Sequence, residues 1–282
     1  MPSAIPVFYS SKMVADSQSA SPSAAKPVKV VESWQQKFAI EIIEPVPVSF
    51  EELARAHDLD YVDNVLTGST ANGFGNCSLD VAMSLPYTSG AMLSAAKYAI
   101  KTKSAVAAPC SGFHHAGYYS GEGFCTFNGL MVTALAPKEM GVSRVGILDL
   151  DMHYGNGTDN IIQKLGAQAW IKHYTGGKKY TEAEQVVEFF QELPLIVAGM
   201  SECDIVLYQA GADPHINDPY GGWLTTEQLR MRDAIVFDGL KALEMPVAWN
   251  LAGGYQVEPD GSIPKVLEIH DNTMFECVRV YG

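Results

Sequence analysis

The chain has 282 residues, 47% hydrophobic and 18% charged, which fits a globular protein with a sizeable core and excludes a disordered or fibrous one. Its 19 Lys and Arg against 32 Asp and Glu leave a formal net charge of −13, which argues against a nucleic-acid backbone as partner. The five cysteines are widely spread without a Cys-x-x-Cys pair, and there is neither a basic-then-apolar leader nor an apolar window of the ~18 residues a membrane span needs, so a soluble, cytoplasmic protein with reduced thiols is expected.

In chain order, Pro6 to Tyr9 reads as a first strand and Ala15 to Lys29, rich in Ser, Ala, Pro and Lys, as a loop. Val28 to Ile43 mixes helix and strand signals and closes at Pro45-Val-Pro47. Ser49 caps a helix with Glu51 and Glu52 in its first turn, and His57 behind it is isolated, a packed or surface histidine. Leu66 to Cys77 is rich in glycine but lacks the spacing and lysine of a phosphate-binding loop. Thr88 to Lys101 predicts a helix whose Ala91, Ser94, Ala95 and Ala96 allow close packing on a sheet. Ser104 to Ala108 is a short strand leading into a Gly/Ser-rich loop with adjacent His114 and His115. Neighbouring side chains diverge, so two roles in proton handling suit this pair better than two bonds to one metal.

After a helical Asn128 to Lys138 comes the most informative stretch. The apolar run Val145 to Leu148 predicts a strand buried on both faces, and it ends in Asp149, Asp151 and His153 before Gly155-Asn156-Gly157. Alternate residues share a face, which gathers hard oxygens and an imidazole at one strand end, a cluster that calls for a divalent cation. Thr158 or Asp159 starts the next helix, Ala169 to Tyr174 is a strand, and Thr181 caps a helix, Glu182 to Leu193, with Val186, Val187, Phe189 and Phe190 as its apolar face. Asp204 to Gln209 is a strand running into Asp213. Thr225 to Leu243 is a helix, and Pro246 to Leu251 is a last strand ending in Ala-Gly-Gly-Tyr255.

Strands alternating with helices, without a repeat or linker, predict one domain over residues 1–282 with a mostly parallel sheet between helices. Ligands bind at the carboxyl ends of such strands, so the residues that follow them can meet in one crevice. Asp151, His153 and Asp213 offer three ligands to one ion with a position left open, the pattern of catalytic zinc. His114 or His115 suits a general base, with Asp149 and Asn156 placed to orient the two rings. Tyr255 suits an oxyanion donor, and Phe124, flanked by Gly123, could wall a slot for an aliphatic chain. Together these groups describe amide hydrolysis.

The stretches Gly-Phe-His-His-Ala with Gly-Phe-Cys-Thr-Phe-Asn, Leu-Asp-Leu-Asp-Met-His-Tyr-Gly-Asn-Gly-Thr, Gly-Ala-Asp-Pro-His with Asp-Pro-Tyr-Gly-Gly, and Leu-Ala-Gly-Gly-Tyr, in order from Pro109 to Tyr255, resemble the zinc-dependent histone deacetylase and acetylpolyamine amidohydrolase family. The resemblance implies the arginase-deacetylase fold with about eight parallel strands, and one Zn2+ held by Asp151, His153 and Asp213. It carries the acid–base role onto His115, its support onto His114 with Asp149, the oxyanion role onto Tyr255 and an acyl-lysine tunnel onto Gly123 and Phe124. Asn156 stands where many nuclear-type members have aspartate, a choice that resembles the bacterial and class II branch. Ala169 to Tyr174 lacks a serine to help bind a structural potassium ion, a second tunnel phenylalanine is not identifiable, and the early His-x-Glu-Arg-Pro signature is missing. The expected substrate is an acetylated lysine in a protein or peptide, with an acetylated polyamine as the alternative and a non-catalytic acyl-lysine binder more distant. A ureohydrolase of the same fold is disfavoured by Pro214-His215, where a second aspartate is expected.

Overall fold

The computed structural model describes residues 3–282, without the side chains of residues 137 and 138. In chain order the elements are β1 (Ile5–Phe8), α1 (Lys26–Lys37), β2 (Ile40–Ile43), α2 (Phe50–Leu53), α3 (Leu59–Leu66), α4 (Leu79–Thr102), β3 (Ala105–Ser111), α5 (Gly129–Ala134), α6 (Pro137–Met140), β4 (Val145–Asp149), α7 (Asn156–Leu165), β5 (Ile171–Thr175), α8 (Val186–Ala198), β6 (Ile205–Gly211), α9 (Thr226–Ala242), β7 (Val247–Ala252) and α10 (Pro264–Tyr281). The strands form one sheet in the order β2-β1-β3-β7-β6-β4-β5, and every pairing is parallel. The sheet therefore has seven strands among the described residues, one fewer than the family resemblance implies.

Alternation along the strands builds a core on each face. In β3, Val106, Ala108 and Cys110 pack with α3, α4, α5 and α7, whereas Ala105 and Ala107 face the side of α1, α8, α9 and α10. In β6, Ile205 and Leu207 point one way and Val206, Tyr208 and Ala210 the other. Strands apolar on both sides can lie only in the middle layer of such a sandwich.

Local chemistry explains most boundaries and the places where the sequence expectation shifts. Ser49 and Glu52 form a reciprocal capping box at the start of α2, and Thr225 with Gln228 does the same for α9. The mixed stretch after Val28 resolves into both of its signals, a helix through Lys37 and then β2. The expected loop over Ala15–Lys29 ends early, because α1 begins at Lys26 with Pro27 in its first turn, where a missing N–H costs nothing. The helix expected from Thr88 starts nine residues sooner, with Ser78 accepting from the Val81 amide, and runs through Pro86. Its buried Gly90 meets the backbone of Val46 and Pro47, a contact any side chain would obstruct. In α8 the buried stripe is Phe189, Leu193 and Val197 at a four-residue spacing, while Val187 points outward at 67% exposure. Its start is set not by Thr181 but by a short turn over Ala183–Gln185, capped by Glu182.

Candidate active site

Four adjacent strands, β3, β7, β6 and β4, deliver their following loops to the same edge of the sheet. His114 and His115 follow β3, Tyr255 follows β7, Asp213 follows β6, and Asp149, Asp151 and His153 end or follow β4. All the residues singled out in the sequence thus come together. Tight backbone approaches fix the junctions. A Cβ on Gly211 would strike Asp151, one on Gly253 would strike the Asp213 carboxylate, and one on Gly157 would strike the backbone of His115 and Ala116.

The two histidines diverge, with ring centroids 4.1 Å apart and planes 51° from parallel. Buried His114 donates through Nδ1 to Asp149 Oδ2 at 2.7 Å, and its Nε2 lies 3.5 Å from Asp151 Oδ1. Asp149 is held in turn by the Gln209 amide at 3.0 Å and the Asp151 backbone N–H at 3.2 Å. Burial works against a charge on His114, but the Asp149 and Asp151 carboxylates outweigh it and push it up to about 9. His115 is only partly buried and donates through Nδ1 to Asn156 Oδ1 at 2.6 Å. Burial and the neighbouring His114 push it below the ordinary imidazole value, so its Nε2 lone pair is free at neutral pH.

Asp151, His153 and Asp213 place one donor atom each within 4.8 Å of one another, the single such group among the described residues. His153 Nδ1 lies 3.0 Å from Asp213 Oδ2 and 3.3 Å from Asp151 Oδ1, while its Nε2 donates to the Tyr220 carbonyl at 3.2 Å. Burial and the Asp151 carboxylate push Asp213 above the ordinary carboxylate range, and the hydrogen bonds that His153 makes to both carboxylates push it above the ordinary imidazole range. Two buried carboxylates call for positive charge between them, which a proton on His153 Nδ1 can supply; a divalent ion such as zinc would take that proton's place, and the mixed O/N donor set fits it.

The wall of the crevice is aromatic. Phe124 lies 5.3 Å from Tyr255 and 5.9 Å from Tyr220, centroid to centroid, and Tyr220 lies 4.9 Å from Tyr255. Tyr220 is thus a second ring packed on Phe124 and Tyr255. Burial, with Asp213 and Asp151 nearby, pushes the Tyr255 phenol well above its ordinary value, so it stays a proton donor. Gly123 could carry no side chain, since a Cβ there would sit 2.5 Å from His115 Cδ2.

Four further residues at the site received no role from the sequence, although Asp218 and Tyr220 belong to the Asp-Pro-Tyr-Gly-Gly stretch that carries part of the resemblance. Lys26, fully buried, donates to the Gly253 carbonyl, and burial lowers it to about 8 despite Asp213, Asp151 and Asp218. Asp218 accepts from the Tyr255 backbone N–H at 2.8 Å, Glu122 accepts from the Asn156 side chain at 2.6 Å, and Tyr220 acts through its carbonyl and its ring. Of the lone histidines, His57 and His270 are packed, His215 bonds Thr226, and His173 is held by Asp159 at 2.7 Å. None joins the metal-type cluster. All five cysteines are free and no two are joined. No helix of the described residues is long and apolar enough to cross a membrane.

The family model described as histone deacetylase domain matches residues 21–169. Histone deacetylase 2 of Arabidopsis thaliana is 25% identical over 245 residues, covering 76% of this chain and 63% of that protein, so the chain spans less than two thirds of that relative's length. A probable deacetylase of Archaeoglobus fulgidus is 27% identical over 259 residues, covering 80% of this chain and 71% of the relative. The crystal structure of an acetylpolyamine aminohydrolase from Burkholderia pseudomallei superposes with a TM-score of 0.75 at 15% identity, covering 99% of this chain and all of the other, a likeness of fold.

Proposed function

Because this chain belongs to the histone deacetylase domain family, we propose that it acts as one catalytic unit, a zinc-dependent deacetylase that removes acetyl or a short acyl group from acyl-lysine in proteins or peptides. The observation that carries this reading is the convergence of His115, Tyr255 and the Asp151–His153–Asp213 cluster at one end of four adjacent strands. Asp151, His153 and Asp213 would hold the ion, which when bound supplies Lewis-acid polarisation of the amide carbonyl and a more acidic water.

The chain's own residues do the rest. His115, neutral at Nε2 and anchored at Nδ1, takes a proton from the attacking water and returns it to the departing amine. Tyr255 donates its phenol hydrogen to the carbonyl oxygen as negative charge develops there, a donor held in place before the reaction begins. His114, kept protonated by Asp149, sets a positive charge that favours the negative charge developing on the substrate and holds His115 neutral until it takes the water's proton. Phe124 and Tyr220 exclude water from the aliphatic arm of the substrate. An acetylated polyamine presents the same aliphatic amide, and the two substrate classes separate by what lies beyond that arm.

Acetate release by the zinc-loaded chain from an acetyl-lysine peptide, acetylputrescine and acetylspermidine, beside a chelated sample, tests the assignment. Zinc-dependent release from the peptide is expected, and release from the polyamines alone would reassign the substrate. Absence of release from all three with zinc bound would sink the deacetylase reading.

A further inference from the structure

We propose that Glu122 is a positioning residue: it locks the side-chain amide of Asn156 and thereby sets the tautomer of His115, an inference that rests on His115 as the acid–base group. Asn156 stands between two partners, with Oδ1 2.6 Å from His115 Nδ1 and Nδ2 2.6 Å from Glu122 Oε1. An asparagine amide is two-faced, an acceptor on one side and a donor on the other, and a half-turn about its last bond exchanges them. Turned one way it accepts from Nδ1–H and leaves His115 with its lone pair on Nε2. Turned the other way it donates to Nδ1 and moves the ring proton to Nε2, where a base needs none.

A carboxylate removes this ambiguity because it only accepts hydrogen bonds. The group facing Glu122 must be the NH2, so the oxygen must face His115. The contact is also charge-assisted and so stronger than an amide–amide bond. An aspartate at 156 would set two carboxylates at contact distance, which makes Asn156 and Glu122 a matched pair.

The backbone is shaped to present Glu122 here. The Cys125 N–H donates to the Glu122 carbonyl at 2.9 Å, and the two residues between them, Gly123 at φ 55° and Phe124 at φ 64°, are both left-handed. Glycine accepts that conformation freely, whereas phenylalanine does so at a cost of about 1 kcal/mol or more, of the kind found where a site imposes its geometry. This one tight turn puts Glu122 on the amide, Gly123 against the His115 ring and Phe124 in the aromatic wall.

The test uses the zinc-loaded chain with wild type, Glu122→Gln, Glu122→Leu, Asn156→Asp and the Asn156→Asp/Glu122→Leu double variant. Acetate release is measured beside 15N spectra of the histidine side chains. Gln is two-faced like Asn156 and admits both orientations of the pair, so it should fall between wild type and Leu in kcat and in Nε2 protonation. Leu should lower kcat about five- to tenfold with KM little changed, the size expected for one exposed charge-assisted bond, and should show His115 protonated partly at Nε2. In the Asn156→Asp background Leu should cost nothing further, since either oxygen of a carboxylate accepts from Nδ1. Wild-type kcat and an unchanged tautomer in Glu122→Leu, or an equal loss in both backgrounds, would overturn the lock. If wild type releases no acetate, the functional reading fails while the 15N spectra of wild type and Glu122→Leu still decide the tautomer.

Discussion

Tyr255 stands on the Gly253-Gly254 turn, its backbone tied to Asp218 and its ring packed between Phe124 and Tyr220, so only its hydroxyl is left to act on a substrate. On the proposed mechanism Tyr255→Phe keeps the metal and lowers kcat by about a hundredfold or more, the loss expected for one oxyanion donor, and single-turnover acetate release reads it. Wild-type turnover in that variant would remove the residue from the mechanism. Asp213→Ala instead should leave zinc content near zero after dialysis, because two ligands remain where three are needed. The residues legible beforehand were those whose type and position after a strand both pointed one way: His114, His115, Asp149, Asp151, His153, Asp213 and Tyr255. Glu122, Lys26 and Asp218 were not, because each acts on a partner 34, 227 or 37 residues away and nothing local marks the pairing.

Among the elements, the loop that carries His114 and His115 depends on α3, α5 and α7 as much as on β3. His57, fully buried just ahead of α3, donates through Nδ1 to the Gly117 carbonyl and accepts through Nε2 from the Asn128 N–H, both at 2.9 Å. Asn128 caps α5 and donates onward to the Ala116 carbonyl and the Thr158 hydroxyl of α7. With both ring nitrogens committed His57 must stay neutral, and burial lowers it to about 4. The unfolded chain takes up this proton below about 6.5 while the folded one does not, so stability falls as pH drops from about 6.5 to about 4, by up to about 3 kcal/mol. Denaturant titrations across that window should lose this component of the slope in His57→Gln, and an identical slope would show the charge is borne elsewhere. Sequence periodicity located five of the seven strands to within two residues, since runs such as Ile205 to Ala210 are apolar on both faces, but it ended β3 three residues early at Ala108 and left β2 within a mixed stretch. It misjudged α4, expected from Thr88 but begun at Leu79, and α8, whose buried stripe is set by tertiary contact.

For the molecule as a whole, the Asp151–His153–Asp213 cluster, proposed to hold a cation, joins the ends of β4 and β6 and would fasten neighbouring strands in the middle of the sheet. A ligand that binds only the folded chain adds to its stability, so chelation should lower Tm by several degrees and zinc should restore it, as a thermal melt would read; equal melts would deny the cluster a metal. That the fold is a parallel sheet between helices was legible from alternating elements. The strand order was not, because β7 enters between β3 and β6 rather than at an edge, and no local pattern encodes such a place. This insertion has a consequence for synthesis. β7 is last of the seven strands in sequence and fourth of seven across the sheet, so a ribosome has delivered Asp151, His153 and Asp213 well before the strand that joins the two halves exists. A nascent chain halted before Ala252 carries every metal-type ligand together with Phe124 and Tyr220 but not Tyr255, so the proposed oxyanion donor is the last of the site's groups to be made.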